Sequence, residues 1–226
     1  MITTILTDIE GTTSSLSFVR DVLFPYAKSH LAEFIQAHSQ DAEVQKQLDA
    51  VREMVKQAEL TQDEVVQILL TWIDEDQKVT PLKTLQGLIW EAGYKDKAYT
   101  AHVYSDAVAH LQKWHTNGKK LYVYSSGSIK AQQLFFSNTE YGDLTELFSG
   151  YFDTTTGHKQ EKRSYRKIAD SINEAPSHIL FLSDIVEELD AAQNVGMKTY
   201  CLNRDSRRIS SYPHPQIRSF DEIMID

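Results

Sequence analysis

The chain has 226 residues and 41% of them are hydrophobic, enough to bury a sizeable core and to exclude a disordered polymer. A formal net charge of -9 argues against nucleic acid and anionic membrane surfaces as partners, although one metal ion can invert a pocket's potential and admit an anionic small molecule. A single cysteine, Cys201, no basic n-region before Asp8, and no run near the roughly 20 apolar residues that span a bilayer make a reduced, soluble, cytoplasmic protein the expectation.

The first β-rich run, Ile2 to Thr7, ends at Asp8. From Phe18 to about Thr100 the pattern is helical. Phe24, Ala27, Leu31, Phe34 and Ile35 share one face; Val44, Leu48, Val51 and Val55 share another; Val65, Ile68, Leu69 and Trp72 a third. Thr80 and Pro81 read as an N-cap and first-turn proline opening a fourth helix with Leu82, Leu85 and Leu88. Ser105 to Asn117 carries Val108, Leu111 and Trp114 at helical spacing, with Gly118 where a C-terminal cap falls.

Lys120 to Tyr124 is the second β-rich run and ends at Ser125. Helical stretches follow over Ile129 to Phe136 and Ser164 to Asn173. Ile179 to Leu182 is the third run, ending at Ser183 and Asp184, and Glu187 to Val195 is helical before the last run, Lys198 to Leu202. These runs are apolar on both faces, as buried parallel strands are. The predicted fold is α/β, a Rossmann-like parallel sheet with an inserted all-helical cap domain. About 80 residues of helix between the first two strands is too long for a simple crossover. The expected division is a core of residues 1–17 and 101–226 and a cap of residues 18–100.

Functional groups of open parallel sheets collect beyond the carboxyl ends of the strands. That rule selects Asp8, Ser125 and Asp184. Asp8 and Glu10 are two residues apart and face one site if the chain stays extended through Ile9; one carboxylate could attack phosphorus while the other handles the leaving-group proton. An ordinary acidic strand-end turn explains the same residues. Ser125, Ser126 and Ser128 precede a helix and could cradle phosphate, or cap that helix, or both. Lys159, in Gly157-His158-Lys159, could neutralise phosphate and nucleophile, but Lys162, Arg163, Arg166 and Lys167 lie close by. Asp184 could hold Mg2+, a hard cation commonly bound by one or two carboxylates, waters and substrate phosphate. Glu187 and Glu188 read first as acids suited to a helix N-terminus. No histidine pattern suggests zinc, and no dinucleotide or Walker loop is present.

Taken together, Asp8-Ile-Glu-Gly-Thr-Thr, Tyr124-Ser-Ser-Gly-Ser, Gly157-His-Lys, Ser164-Tyr-Arg-Lys-Ile and Phe181-Leu-Ser-Asp resemble the haloacid-dehalogenase superfamily of phosphohydrolases over essentially the whole chain. Within it they look like the enolase-phosphatases (acireductone synthases) of methionine salvage, which share glutamate at position 10 where most superfamily phosphatases carry aspartate. The resemblance implies that Asp8 is nucleophile and metal ligand, that Glu10 lies at the metal site partly through its carbonyl, and that Ser125 and Ser126 bind phosphate. It also implies that Lys159 balances charge, Asp184 binds Mg2+ (one ion per subunit), and the protein is a monomer. The implied substrate is a small phosphorylated metabolite, 2,3-diketo-5-methylthiopentyl-1-phosphate. The alternative is a small-metabolite phosphatase without enolase activity. A dehalogenase needs no metal, so Glu10 and Asp184 count against it; a receiver module would be about half this length and lack the helical insert.

Overall fold

The computed structural model describes residues 1–204 and 213–225. The chain divides into two compact units, Met1–Leu16 with Thr100–Asp226, and Ser17–Tyr99. β1 (Thr4–Thr7) is buried along its whole length. A helical turn, α1 (Leu16–Phe18), and a π-helical turn over Val19–Leu23 lead into α2 (Phe24–Ala37).

The helical unit continues with α3 (Ala42–Val55), α4 (Gln62–Asp74) and α5 (Thr80–Lys95). Two of these starts are chemically marked. Asp41 accepts the N–H groups of Glu43 and Val44 at 2.8 and 3.3 Å, and Thr61 and Glu64 form a reciprocal capping box. α5 departs from expectation: Val79 is the N-cap residue, and Thr80 and Pro81 are already helical. Pro81 is tolerated there because first-turn N–H groups have no intrahelical acceptor to lose. The apolar stripes Ala27, Leu31 and Ile35; Val44, Leu48 and Val51; Val65 and Leu69; and Leu82 and Leu85 meet in one core. Each such side chain contributes roughly 1.5–3 kcal/mol on burial, which holds four otherwise marginal helices together.

The second unit continues with α6 (Ser105–Thr116), β2 (Lys120–Tyr124), α7 (Ile129–Ser137), β3 (Gly150–Phe152), α8 (Lys162–Ser171), β4 (Ile179–Ser183), α9 (Val186–Gln193), β5 (Lys198–Leu202) and β6 (Gln216–Ile217). Gly118, at φ +75°, takes the left-handed position that ends α6. The strands form one sheet in the order β3-β2-β1-β4-β5-β6, every pairing parallel. Leu6, Tyr122, Tyr124 and Phe181 gather on one face with Tyr165 and Ile168 of α8 and Leu189 of α9. Their alternates Ile5, Leu121, Val123, Leu180 and Leu182 are equally buried, which accounts for strands apolar on both faces.

The α/β class and parallel sheet are as the sequence predicts, with several boundaries moved. β3 and β6 are additional edge strands of 3 and 2 residues, too short to leave a periodic signal. α8 starts at Lys162 rather than Ser164, with Glu161 as its N-cap residue; Ser164 lies inside the first turn, its hydroxyl donating to the His158 carbonyl at 2.8 Å. From β1 the chain builds outward to β2 and β3, then returns to the other side of β1 for β4, β5 and β6. That reversal leaves a crevice beyond the carboxyl ends of β1 and β4, the place where such sheets bind ligands.

Candidate active site

The two strands at the reversal deliver Asp8 and Asp184. The Asp8 N–H donates to the Leu182 carbonyl at 2.9 Å, carrying the ladder between β1 and β4 one residue further and burying Asp8. Its own carbonyl accepts the hydroxyls of Thr7 and Thr13 at 3.0 and 3.2 Å. The backbone does not stay extended through Ile9. The Ile9 carbonyl accepts the N–H groups of Thr12, Thr13 and Ser14 at 3.2, 3.0 and 2.8 Å, so the chain turns immediately after Asp8. Glu10 sits half-buried in this turn, bridged to Ser14. Gly11 has φ +71°, and a Cβ there would lie 2.3 Å from Asp184 Oδ2. Glycine at this position therefore lets Asp184 come up against the Asp8 loop.

Beyond β2, Ser125 is buried and its N–H donates to the Phe152 carbonyl at 3.2 Å. Its Oγ accepts the Gly127 N–H at 3.4 Å. Ser126 is exposed. Ser128 is the residue that caps α7, accepting from Ala131 N–H at 3.2 Å, while Asp153 accepts the Ile129 N–H at 3.3 Å. Of its two possible uses, phosphate cradle and helix cap, Ser128 takes the second, and the turn ahead of it is fixed at both ends.

Lys159 is the buried cation of the site. Its Nζ is 2.7 Å from Asp8 Oδ1, 2.8 Å from Glu188 Oε2 and 5.7 Å from the Tyr124 ring centroid. The preceding residues hold its backbone. The Tyr124 hydroxyl donates to the Gly157 carbonyl at 2.9 Å, and a Cβ on Gly157, at φ +153°, would meet Ser164 Oγ at 2.2 Å.

Glu187 and Glu188 both lie in the first turn of α9, as the sequence reading has them, but Glu188 has a further role that reading missed. It is buried, paired with Lys159, and accepts the Ser183 hydroxyl at 3.0 Å. Its one local signal is position: it lies in the first turn of α9, just after the end of β4, where its carboxylate reaches back to the Ser183 hydroxyl.

Two buried carboxyl groups, Asp8 and Glu188, thus flank one ammonium, and the half-buried Asp184 stands against the Asp8 loop at Gly11. Burial and then the Asp8 charge push Asp184 up to about 7. Burial, then the Asp8 charge, also raise Glu188, with Lys159 pulling the other way. For Lys159, burial alone would lower the pKa, but Asp8 and Glu188 outweigh it and hold the ammonium firmly protonated. The excess of negative charge, the hard oxygen donors and the Gly11 cradle fit a divalent cation such as Mg2+. Among the described residues no three carboxylate, histidine or cysteine side chains form a complete cage. Mg2+ does not require one, since it keeps several waters and takes substrate oxygens.

The model of the haloacid dehalogenase-like hydrolases matches residues 2–196. The enolase-phosphatase E1 of Azotobacter vinelandii is 54% identical over 219 residues, covering 97% of this chain and 96% of that protein. That of Methylococcus capsulatus is 53% identical over 223 residues, covering 99% and 98%. Among solved structures, the UTR4 protein of Saccharomyces cerevisiae superposes with a TM-score of 0.85 at 32% identity, covering 99% of this chain and 100% of that one.

Proposed function

Because the chain belongs to the haloacid dehalogenase-like hydrolases, and within them to the enolase-phosphatase E1 family, we propose that Asp8 is the nucleophile of a two-step reaction on one phosphorylated metabolite. The chain converts 2,3-diketo-5-methylthiopentyl-1-phosphate to the acireductone 1,2-dihydroxy-3-keto-5-methylthiopentene and inorganic phosphate, a step of methionine salvage. The observation that carries the site assignment is Lys159 held between Asp8 and Glu188 at 2.7 and 2.8 Å.

Enolisation moves the C-1 proton to a base and leaves a hydroxyl on C-2. In the second step an Asp8 carboxylate oxygen attacks phosphorus, the P–O bond to C-1 breaks, and the substrate oxygen takes a proton, a role assigned to Glu10. Water then cleaves the aspartyl-phosphate and restores Asp8. Lys159, 2.7 Å from Asp8 Oδ1, keeps that carboxylate aimed, and its charge is preorganised rather than recruited during reaction. Ser125 and Ser126 are assigned to the phosphoryl oxygens. Asp8, Asp184 and the Glu10 carbonyl would hold Mg2+, one ion per chain, which when bound supplies positive charge to the phosphoryl and diketone oxygens.

We assign the helical unit Ser17–Tyr99 as the cap domain, and the working form as a monomer in the cytoplasm. Among the described residues no helix is long and apolar enough to cross a membrane.

The test is phosphate release from the diketo phosphate with Mg2+ and with chelator, alongside hydrogen exchange at C-1. Mg2+-dependent release with exchange supports the reading. Release without exchange reduces the chain to a small-metabolite phosphatase.

A further inference from the structure

Arg204, two residues beyond β5, sends a buried guanidinium back to the loop that follows Asp8. Its Nε and Nη2 donate to the Thr12 carbonyl at 3.1 and 2.9 Å. Its Nη1 donates to Asp106 Oδ2 at 2.7 Å and to the Arg218 carbonyl at 3.3 Å. The guanidinium carbon lies 4.1 Å from the Tyr104 ring centroid and 5.3 Å from that of Phe220. The same Asp106 oxygen accepts the Phe220 N–H at 2.7 Å, and the Tyr104 N–H donates to the Thr13 carbonyl at 2.9 Å.

The loop needs such a hold. The amides of Thr12, Thr13 and Ser14 all turn inward on the Ile9 carbonyl. Three amides on one acceptor close a turn but do not fix its tilt against the sheet. The Thr12 and Thr13 carbonyls are where neighbouring segments grip it. A planar fork can place two charge-assisted donors on Thr12 while a third reaches Asp106, which a lysine's point charge cannot reproduce.

We infer that Arg204 is a positioning residue: it fixes the turn Ile9–Ser14, and through it the placement of Asp8 and Gly11. The inference rests on Asp8 being the nucleophile, as assigned above. Misplacing a reacting group by about 1 Å can cost a hundredfold in rate, so a tie of this kind acts on turnover without touching substrate.

The experiment reads amide hydrogen exchange at Thr12, Thr13 and Ser14 in the full chain, and steady-state hydrolysis of p-nitrophenyl phosphate. Arg204→Met is expected to speed exchange of those amides about tenfold or more and to lower kcat about tenfold or more, with KM within about twofold. Arg204→Lys, which keeps the charge facing Asp106, falls between. His214→Asn is the control. His214 ties the C-terminal segment to Thr199 and Asp190 at 2.8 and 3.0 Å without touching the loop, so loop exchange and kcat stay at wild-type values. Unchanged loop exchange in Arg204→Met overturns the inference; so does equal acceleration in His214→Asn, which would make the whole C-terminal segment responsible. If Arg204→Met loses its helical circular dichroism, Arg204→Lys carries the same comparison. A wild-type chain that releases no phosphate defeats the assigned function, while loop exchange still decides the role of Arg204.

Discussion

The carboxylate of Asp184 occupies the space that a side chain on Gly11 would fill: a Cβ there would lie 2.3 Å from its Oδ2 and 2.5 Å from its Cγ. Residues 11 and 184 come from opposite ends of the chain, and they meet because β1 and β4 are neighbours at the point where strand order reverses. Gly11→Ala therefore has two costs. The left-handed φ of +71° strains an alanine by roughly 1 kcal/mol, and the new methyl drives the Asp184 carboxylate away. Phosphate release should fall about a hundredfold, and the Mg2+ concentration for half-maximal rate should rise. A Mg2+ titration of the variant checks this; a wild-type Mg2+ dependence would remove Asp184 from the cation site.

Lys159 and Lys162 separate the site from its surroundings. Lys159 is buried between two carboxylates, whereas Lys162 is exposed at the start of α8. Lys159→Met should lower kcat by about a hundredfold, equivalent to roughly 3 kcal/mol of transition-state stabilisation. It should also destabilise the fold by about 3–5 kcal/mol, because Asp8 and Glu188 lose their buried counter-charge. Lys162→Ala should stay within about 0.5 kcal/mol of wild type in urea unfolding and keep its turnover. Greater loss of turnover in Lys162→Ala than in Lys159→Met would reverse the assignment.

How far these residues are legible in the sequence depends on how local their signals are. Asp8, Ser125 and Asp184 each end an apolar run, so strand periodicity and the carboxyl-end rule find them without any tertiary knowledge. Lys159 is one of several basic residues in a polar stretch, and only the long-range approach of Asp8 distinguishes it; family resemblance selects it where spacing leaves the choice open. Glu188 is harder still, because an acid in the first turn of a helix already has a sufficient local explanation, and burial is decided by Lys159 and Ser183. The turn at Ile9 is masked when alternation is carried past the strand end, and Gly11 is its one local sign. Arg204 carries no local signal, since its partners lie in three distant segments.

The crowding of carboxyl groups gives the metal-free protein a defined pH response. Asp184 is pushed up to about 7 by burial and the Asp8 charge, and Glu188 is raised by the same causes. An unfolded chain titrates these groups near pH 4, so between about pH 4 and 7 the folded state binds more protons than the unfolded one. Stability must therefore fall as pH rises through that window. In chelator, the thermal midpoint should be higher at pH 5.5 than at pH 8, and Asp184→Asn should flatten the difference. Added Mg2+ should stabilise wild type more at pH 8 than at pH 5.5, because the ion binds the ionised carboxylates. Equal pH slopes for wild type and Asp184→Asn in differential scanning calorimetry would contradict the placement of Asp184 in this charge cluster.

The two halves of the reaction should be separable by a single substitution. Enolisation breaks a C–H bond beside a carbonyl and hydrolysis breaks a P–O bond, so the steps need not share an attacking group. Asp8→Asn replaces the nucleophile by an amide, which does not attack phosphorus. The substitution retains an oxygen acceptor for Lys159, while the ion pair between Lys159 and Glu188, at 2.8 Å, does not depend on Asp8. The variant is therefore expected to fold and to release no phosphate. With Mg2+ raised to offset the weakened site, it should still exchange the C-1 hydrogen of the diketo phosphate with solvent or accumulate the enol phosphate. Proton NMR in deuterium oxide follows the C-1 signal while a phosphate assay follows hydrolysis in the same sample. Near-normal phosphate release from Asp8→Asn would remove Asp8 as nucleophile. If calorimetry shows Mg2+ bound but C-1 does not exchange, the Asp8 carboxylate serves both steps and the proposed separation fails.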